Sequence, residues 1–134
     1  GVAHCFGCGP DNADGLRLRF ETTADGSVEA RAQVAAHFVG FDGVVHGGIQ
    51  ATILDEVMGV AAQLALPTGA DSMACLTAEL ALRFIRPVPI DAEVIARAKV
   101  VHTHGYDFYV HGAIVAADGA ELTTARSRWR QARR

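Results

Sequence analysis

The chain has 134 residues, half of them hydrophobic and a fifth charged, with a net charge of -3. That makeup suits one globular domain, expected to span residues 1–134, with a sizeable apolar core. The acidic balance gives no electrostatic case for nucleic acid, and the longest apolar-rich segment, Ala51 to Leu66, carries Asp55, Glu56 and Gln63 and is therefore not a membrane span.

Residues 1–15 read as a lead-in loop, because "CGPDNADG" (Cys8 to Gly15) is dense in turn formers. Within "HCFGCG", Cys5 and Cys8 form a CxxC, which is half a zinc motif. Zinc would need a second pair of ligands at metal spacing, but Cys75 stands alone and only His4 offers a third donor nearby. The expectation is a glycine-rich turn with semi-buried thiols and no metal. No secretory signal pattern opens the sequence, so free thiols point to a reducing cytoplasm. "LRLRF" (Leu16 to Phe20) alternates apolar and basic residues, which predicts a half-buried strand. "TADG" (Thr23 to Gly26) is a turn signal, and Val28 to Val34 alternates again, so the two runs form a hairpin. Residues 37–48 hold four glycines and read as a loop.

From Ile49 the pattern becomes helical. Ile49, Ile53, Val57, Val60 and Leu64 make an apolar arc, with Thr52, Glu56 and Gln63 opposite and Asp55 at the border. Pro67 and Gly69 stop the helix after about 18 residues, or about 27 Å. Four strand-like runs follow: Met73 to Arg86, Ala92 to His104, Tyr106 to Ala116, and Glu121 to Gln131. Short turns between them predict an antiparallel meander. One long apolar helix cannot hide its face alone. The expected fold is therefore α+β, an antiparallel sheet of five or six strands curled around the helix.

The chemistry concentrates in "VVHGGIQATILDE" (Val44 to Glu56). A helix start presents unpaired N–H groups and about half a positive charge, and glycine there lets a ligand approach the backbone. An oxyanion on the N–H of Gly47 or Gly48 would be stabilised, as acyl-group hydrolysis requires. A carboxylate must also act on water, or attack directly, from about 3 Å away. Asp55 follows His46 by nine residues, roughly 13 Å along the axis. It could reach Gly47 only on a second chain whose helix packs antiparallel, so joint action of these residues implies a dimer. The competing reading is a sharp Gly-Gly loop and a border acid with a structural hydrogen bond.

"HGGIQATILDE" resembles the signature of hotdog-fold acyl-CoA thioesterases, in the branch that includes phenylacetate-pathway members. "LTAELALRFIRPVPIDAEVIARAKVV" (Leu76 to Val101) looks like that family's strand pair with its aromatic-x-Arg-Pro turn, "DGAELTTARSRW" like its last hairpin, and "CFGCGPDNADGLRLRF" like the opening of many bacterial members. The resemblance implies the hotdog fold and hydrolysis of an acyl-CoA. Asp55 would be general base or nucleophile, Gly47 the N–H donor with Gly48 behind it, and His46 the residue orienting the loop. Thr77 stands where some relatives have a Ser or Thr that helps position water. Coenzyme A is part of the substrate, no other cofactor is implied, and the assembly is a homodimer or a dimer of dimers. One departure is Gly40, where some relatives carry an Asn or Gln.

Gln50 and Met58 are candidate substrate-binding residues, Gln50 with the alternative of a buried amide satisfied by backbone. Arg83 and Arg86 end a strand near the helix start and could meet coenzyme A phosphates or stay solvated. Arg126, Arg128 and Arg130 share one strand face as a basic outer stripe, and His102, His104 and His111 read as structural or surface residues. Two rival functions are a non-catalytic acyl-CoA or lipid-binding module and an enoyl-CoA hydratase. The hydratase ranks last: such enzymes pair Asp and His five residues apart, whereas Asp42 and His46 are four apart.

Overall fold

A computed structural model describes residues 2–67 and 74–132. One helix, α1 (Gly47–Leu64), lies against a six-stranded antiparallel sheet. The strands are β1 (Glu21–Thr22), β2 (Val28–Gln33), β3 (Cys75–Phe84), β4 (Glu93–His104), β5 (Asp107–Ala116) and β6 (Glu121–Gln131). Helix α1 contacts every strand from β2 to β6, so the sheet curls around it as the apolar arc requires. The core between them is mainly aliphatic, with Ile53, Leu54, Val57 and Met58 on the helix side and Val28, Ala96, Val110 and Ile114 on the sheet side.

Strand order is β1-β2-β4-β5-β6-β3, which corrects the expected meander. Of the four strands after the helix, only β4, β5 and β6 follow one another through tight turns. β3 pairs with β6 at one edge, and β4 pairs with β2 on the other side. Leu76 to Val101 is therefore not a strand pair. The connection "RPVPID" crosses between the two sides, and backbone bonds tie it to the loop before the helix: Val45 N–H to Val88 O at 2.8 Å and Ile90 N–H to Gly43 O at 3.0 Å. Prolines suit this crossing because Pro87 and Pro89 have no N–H to leave unsatisfied.

Two local expectations also change. Leu16 to Phe20 is not a strand, although its alternation holds: Leu18 is buried and Arg17 and Arg19 are exposed. Its backbone bonds go instead to the lead-in loop, Leu16 N–H to Phe6 O and Leu18 N–H to Gly7 O, and Arg17 sits at φ 52. The hairpin is thus reduced to two paired positions between β1 and β2. In the helix, Gln50, Leu54, Met58 and Ala61 are buried while Leu64 is 63% exposed, so the buried stripe is rotated from the expected axis. Gly69 and Met73, expected at the helix stop and the strand start, lie outside the described residues. No helix among the described residues is long and apolar enough to cross a membrane.

Candidate functional site at the helix start and its middle turn

The helix begins at Gly47, two residues earlier than its apolar pattern indicated, because His46 caps it. His46 Nδ1 accepts from Gly48 N–H at 2.9 Å, and His46 O accepts from Ile49 and Gln50 N–H at 3.0 Å each. An accepting Nδ1 places a neutral ring's proton on Nε2. Three of the first four helical N–H groups are therefore occupied. The fourth, Gly47 N–H, finds no acceptor among the described residues. A side chain at Gly47 would come within 3.6 Å of the Phe84 ring, so this bare amide lies beside the end of β3. Around it opens a cleft of about 400 Å³ lined by Phe41, Val44, Gln50, Phe84 and Arg86 among others.

Gln50 is 4% exposed and both its amide nitrogen and its amide oxygen are hydrogen-bonded, which fits the buried-amide reading. Its Nε2 donates to Val45 O at 3.0 Å, and its Oε1 accepts from Thr123 Oγ1 at 2.5 Å. These bonds pin the glycine loop to the helix and to β6, so the cleft edge is held by a buried polar link.

Two turns along the helix, Asp55 is half-buried and Thr77 Oγ1 donates to its Oδ1 at 2.8 Å. A β-bulge creates this pairing. Residues two apart on a regular strand share a face, but the register shifts between Thr77 and Glu79. Thr77 lies opposite buried Trp129 on the helix face of the sheet, whereas Glu79 lies opposite Arg128 and pairs with it at 3.3 Å on the outer face. Asp55 Oδ2 accepts no hydrogen bond among the described residues. Within one chain Asp55 and Gly47 are eight helical positions apart, about 12 Å.

The remaining candidates do not converge on this cleft. Met58 is fully buried, with its Sδ accepting from Ser127 Oγ at 3.2 Å, so in a single chain it belongs to the core. Arg83 lines a groove on the sheet's outer face with His111 and Arg126, away from Arg86. Arg128 and Arg130 face Asp107 at 3.5 and 3.6 Å. His102 and His104 are exposed and stack on each other.

Sequence spacing missed the setting of Glu56. The lead-in loop folds over it, and Cys5 Sγ donates to Glu56 Oε1 at 3.4 Å. Cys8 joins them, its thiol pushed up to about 12 by burial, by its hydrogen bond with Cys5 and by the Glu56 carboxylate. Only the glycine at position 7 hints at this contact in the sequence, since a side chain there would strike Glu56.

Residues 42–123 match the family model of the thioesterase superfamily. Among solved structures, the thioesterase superfamily protein RHA08564 is 30% identical with a TM-score of 0.86, over 96% of this chain and 60% of that one, so the present chain spans less than two thirds of its length. A Bacillus halodurans protein crystallised with CoA is 25% identical with a TM-score of 0.77, over 89% of this chain and 76% of that one. A phenylacetic acid degradation-related protein from Ralstonia eutropha JMP134 is 26% identical with a TM-score of 0.75, over 90% and 89% of the two chains. None of the curated proteins matches the chain.

Proposed function

The chain belongs to the thioesterase superfamily, and from that membership we propose that it hydrolyses an acyl-CoA thioester in a composite site formed by two copies. The observation that carries the proposal is Asp55 itself, one carboxylate oxygen held by Thr77 and the other unengaged, on a helix whose own free amide is too far away. A second copy supplies the missing donor. β3 is the outer strand of its sheet, ten residues long, with exposed apolar side chains at Leu76 and Phe84. Such an edge is a template for pairing with another strand. Antiparallel pairing of two β3 edges would set the start of one helix beside the middle of the other.

In that arrangement Asp55 takes a proton from water as the oxygen attacks the thioester carbonyl carbon. The carbonyl electrons move to oxygen, and the oxyanion is held by Gly47 N–H of the second copy, with the helix dipole behind it. Collapse breaks the carbon–sulfur bond, and the proton held by Asp55 passes to the departing CoA thiolate. Direct attack by Asp55 on the carbonyl would use the same placement. Arg86 lines the cleft and is proposed to meet a CoA phosphate, and the CoA in the Bacillus halodurans relative supports a CoA-bearing substrate.

The test is thiol release from short, long and aromatic acyl-CoAs by the wild-type protein and by Asp55→Asn, with mass in solution measured for both. The expected result is hydrolysis by a dimer or larger assembly, abolished in the variant while fold and assembly persist. Retained activity would remove Asp55 from the chemistry. Binding without turnover would make the protein an acyl-CoA-binding module, and enoyl-CoA hydration without thiol release would make it a hydratase.

A further inference from the structure

The lead-in loop and the helix bring together a set of donors that the thioester reading does not use. Cys5 Sγ, Cys8 Sγ and a Glu56 carboxylate oxygen all lie within 4.8 Å of one another, and all three residues are half-buried. Two come from a CxxC and the third from a helix position 48 residues beyond Cys8. The expectation of no metal rested on the missing second ligand pair. A carboxylate delivered by the fold changes that count.

The spacing fits a thiophilic cation. Zinc bonded to sulfur at about 2.3 Å and to oxygen at about 2.0 Å, with a tetrahedral angle between them, sets sulfur and oxygen roughly 3.5 Å apart. Cys5 Sγ and Glu56 Oε1 stand 3.4 Å apart. The backbone is shaped to let the donors meet. A Cβ at Gly7 would lie 2.3 Å from Glu56 Cδ, so any side chain there would push the carboxylate off the thiols. Gly9 N–H bonds to Cys5 O at 2.8 Å and Asp11 N–H to Ala3 O at 2.9 Å, closing the CxxC into a compact turn.

We propose that Cys5, Cys8 and Glu56 form a zinc site that fastens the lead-in loop to the central helix one residue from Asp55. On binding, each thiol releases one proton and becomes a thiolate ligand, Glu56 contributes a carboxylate oxygen, and water or another donor completes the fourth position. The ion is a clip: it joins residues 5–8 to the helix turn that carries the proposed catalytic acid, and takes no part in thioester cleavage.

The test reads metal, not activity. Full-length protein is purified under reducing conditions without chelator, analysed for metal, stripped, and titrated with zinc against a chromophoric chelator. Cobalt is then substituted to look for thiolate-to-metal charge transfer. About one zinc per chain is expected, with protons released on binding. Cys5→Ser and Cys8→Ser should lose the charge-transfer signature. Glu56→Gln should keep it but bind zinc at least ~10-fold more weakly. Mass spectrometry and circular dichroism of the stripped variants verify that each is folded. The proposal is overturned if the reduced, folded wild-type protein takes up no zinc, if either serine variant binds it equally well, or if the two thiols prove to exist as a disulfide in the protein as isolated under air and again fail to bind zinc once reduced.

Discussion

Thr77 Oγ1 donates to Asp55 Oδ1 across 2.8 Å, joining a strand and a helix at positions 22 residues apart. A hydrogen bond to a carboxylate contributes about 1.5–3 kcal/mol, and the partial exposure of this pair favours the lower figure. Thr77→Ala is expected to lower kcat for thioester cleavage by roughly 10-fold with little change in KM, and Thr77→Ser to restore it. Steady-state kinetics on the three proteins would decide. An unchanged kcat in Thr77→Ala would make the hydroxyl a bystander.

His46 closes the start of the helix through Nδ1, and this leaves Gly47 as the free amide. Removing a side-chain cap costs about 1 kcal/mol. His46→Ala should lower the urea midpoint accordingly, and His46→Asn, which can still cap, should recover most of it. If Gly47 N–H is the oxyanion donor, His46→Ala also loses activity beyond its loss of stability, because the uncapped Gly48 amide frees the first turn to shift.

Gly59 lies inside the helix, where alanine is ordinarily better by about 1 kcal/mol. Here a Cβ would stand 2.8 Å from Trp129 Cη2 and 3.1 Å from Cζ3. That ring is anchored, since Trp129 Nε1 donates to Ser127 Oγ at 2.8 Å. Overpacking costs about 1–3 kcal/mol, which exceeds the gain in helix propensity. Gly59→Ala is therefore expected to destabilise the protein by about 1 kcal/mol or more in thermal or urea unfolding. A rise in Tm would show that the indole moves freely.

The Cys8 thiol, raised from 9.0 to about 12 chiefly by burial, ties stability to alkaline pH in the metal-free protein. The folded chain keeps this proton after the unfolded chain has lost it. The contribution is complete below about pH 9 and is lost as pH climbs toward about 12. Urea midpoints of the reduced, stripped protein should fall across that window more steeply than those of Cys8→Ser, which has no thiol to ionise. Parallel curves for the two proteins would show that Cys8 is as solvated in the folded state as in the unfolded one.

The sequence by itself determined the fold class, the single long helix and the extents of β4, β5 and β6, because these rest on local periodicity and on turn residues that act over a few positions. It also marked Asp55 and the Gly47 amide as too far apart on one chain to meet, since a helix has a fixed rise. Thr77 was reached only through family resemblance. Its contact with Asp55 depends on a bulge that strand alternation does not encode. Tertiary structure alone decided that β3 crosses to the far edge, that Leu16 to Phe20 bonds to the lead-in loop instead of extending the sheet, and that Met58 is core. It also brought Glu56 from the polar side of the helix under Cys5 and Cys8. Each of those outcomes is set by which surfaces the curled sheet leaves open for distant segments to cover, and no window of neighbouring residues carries that information.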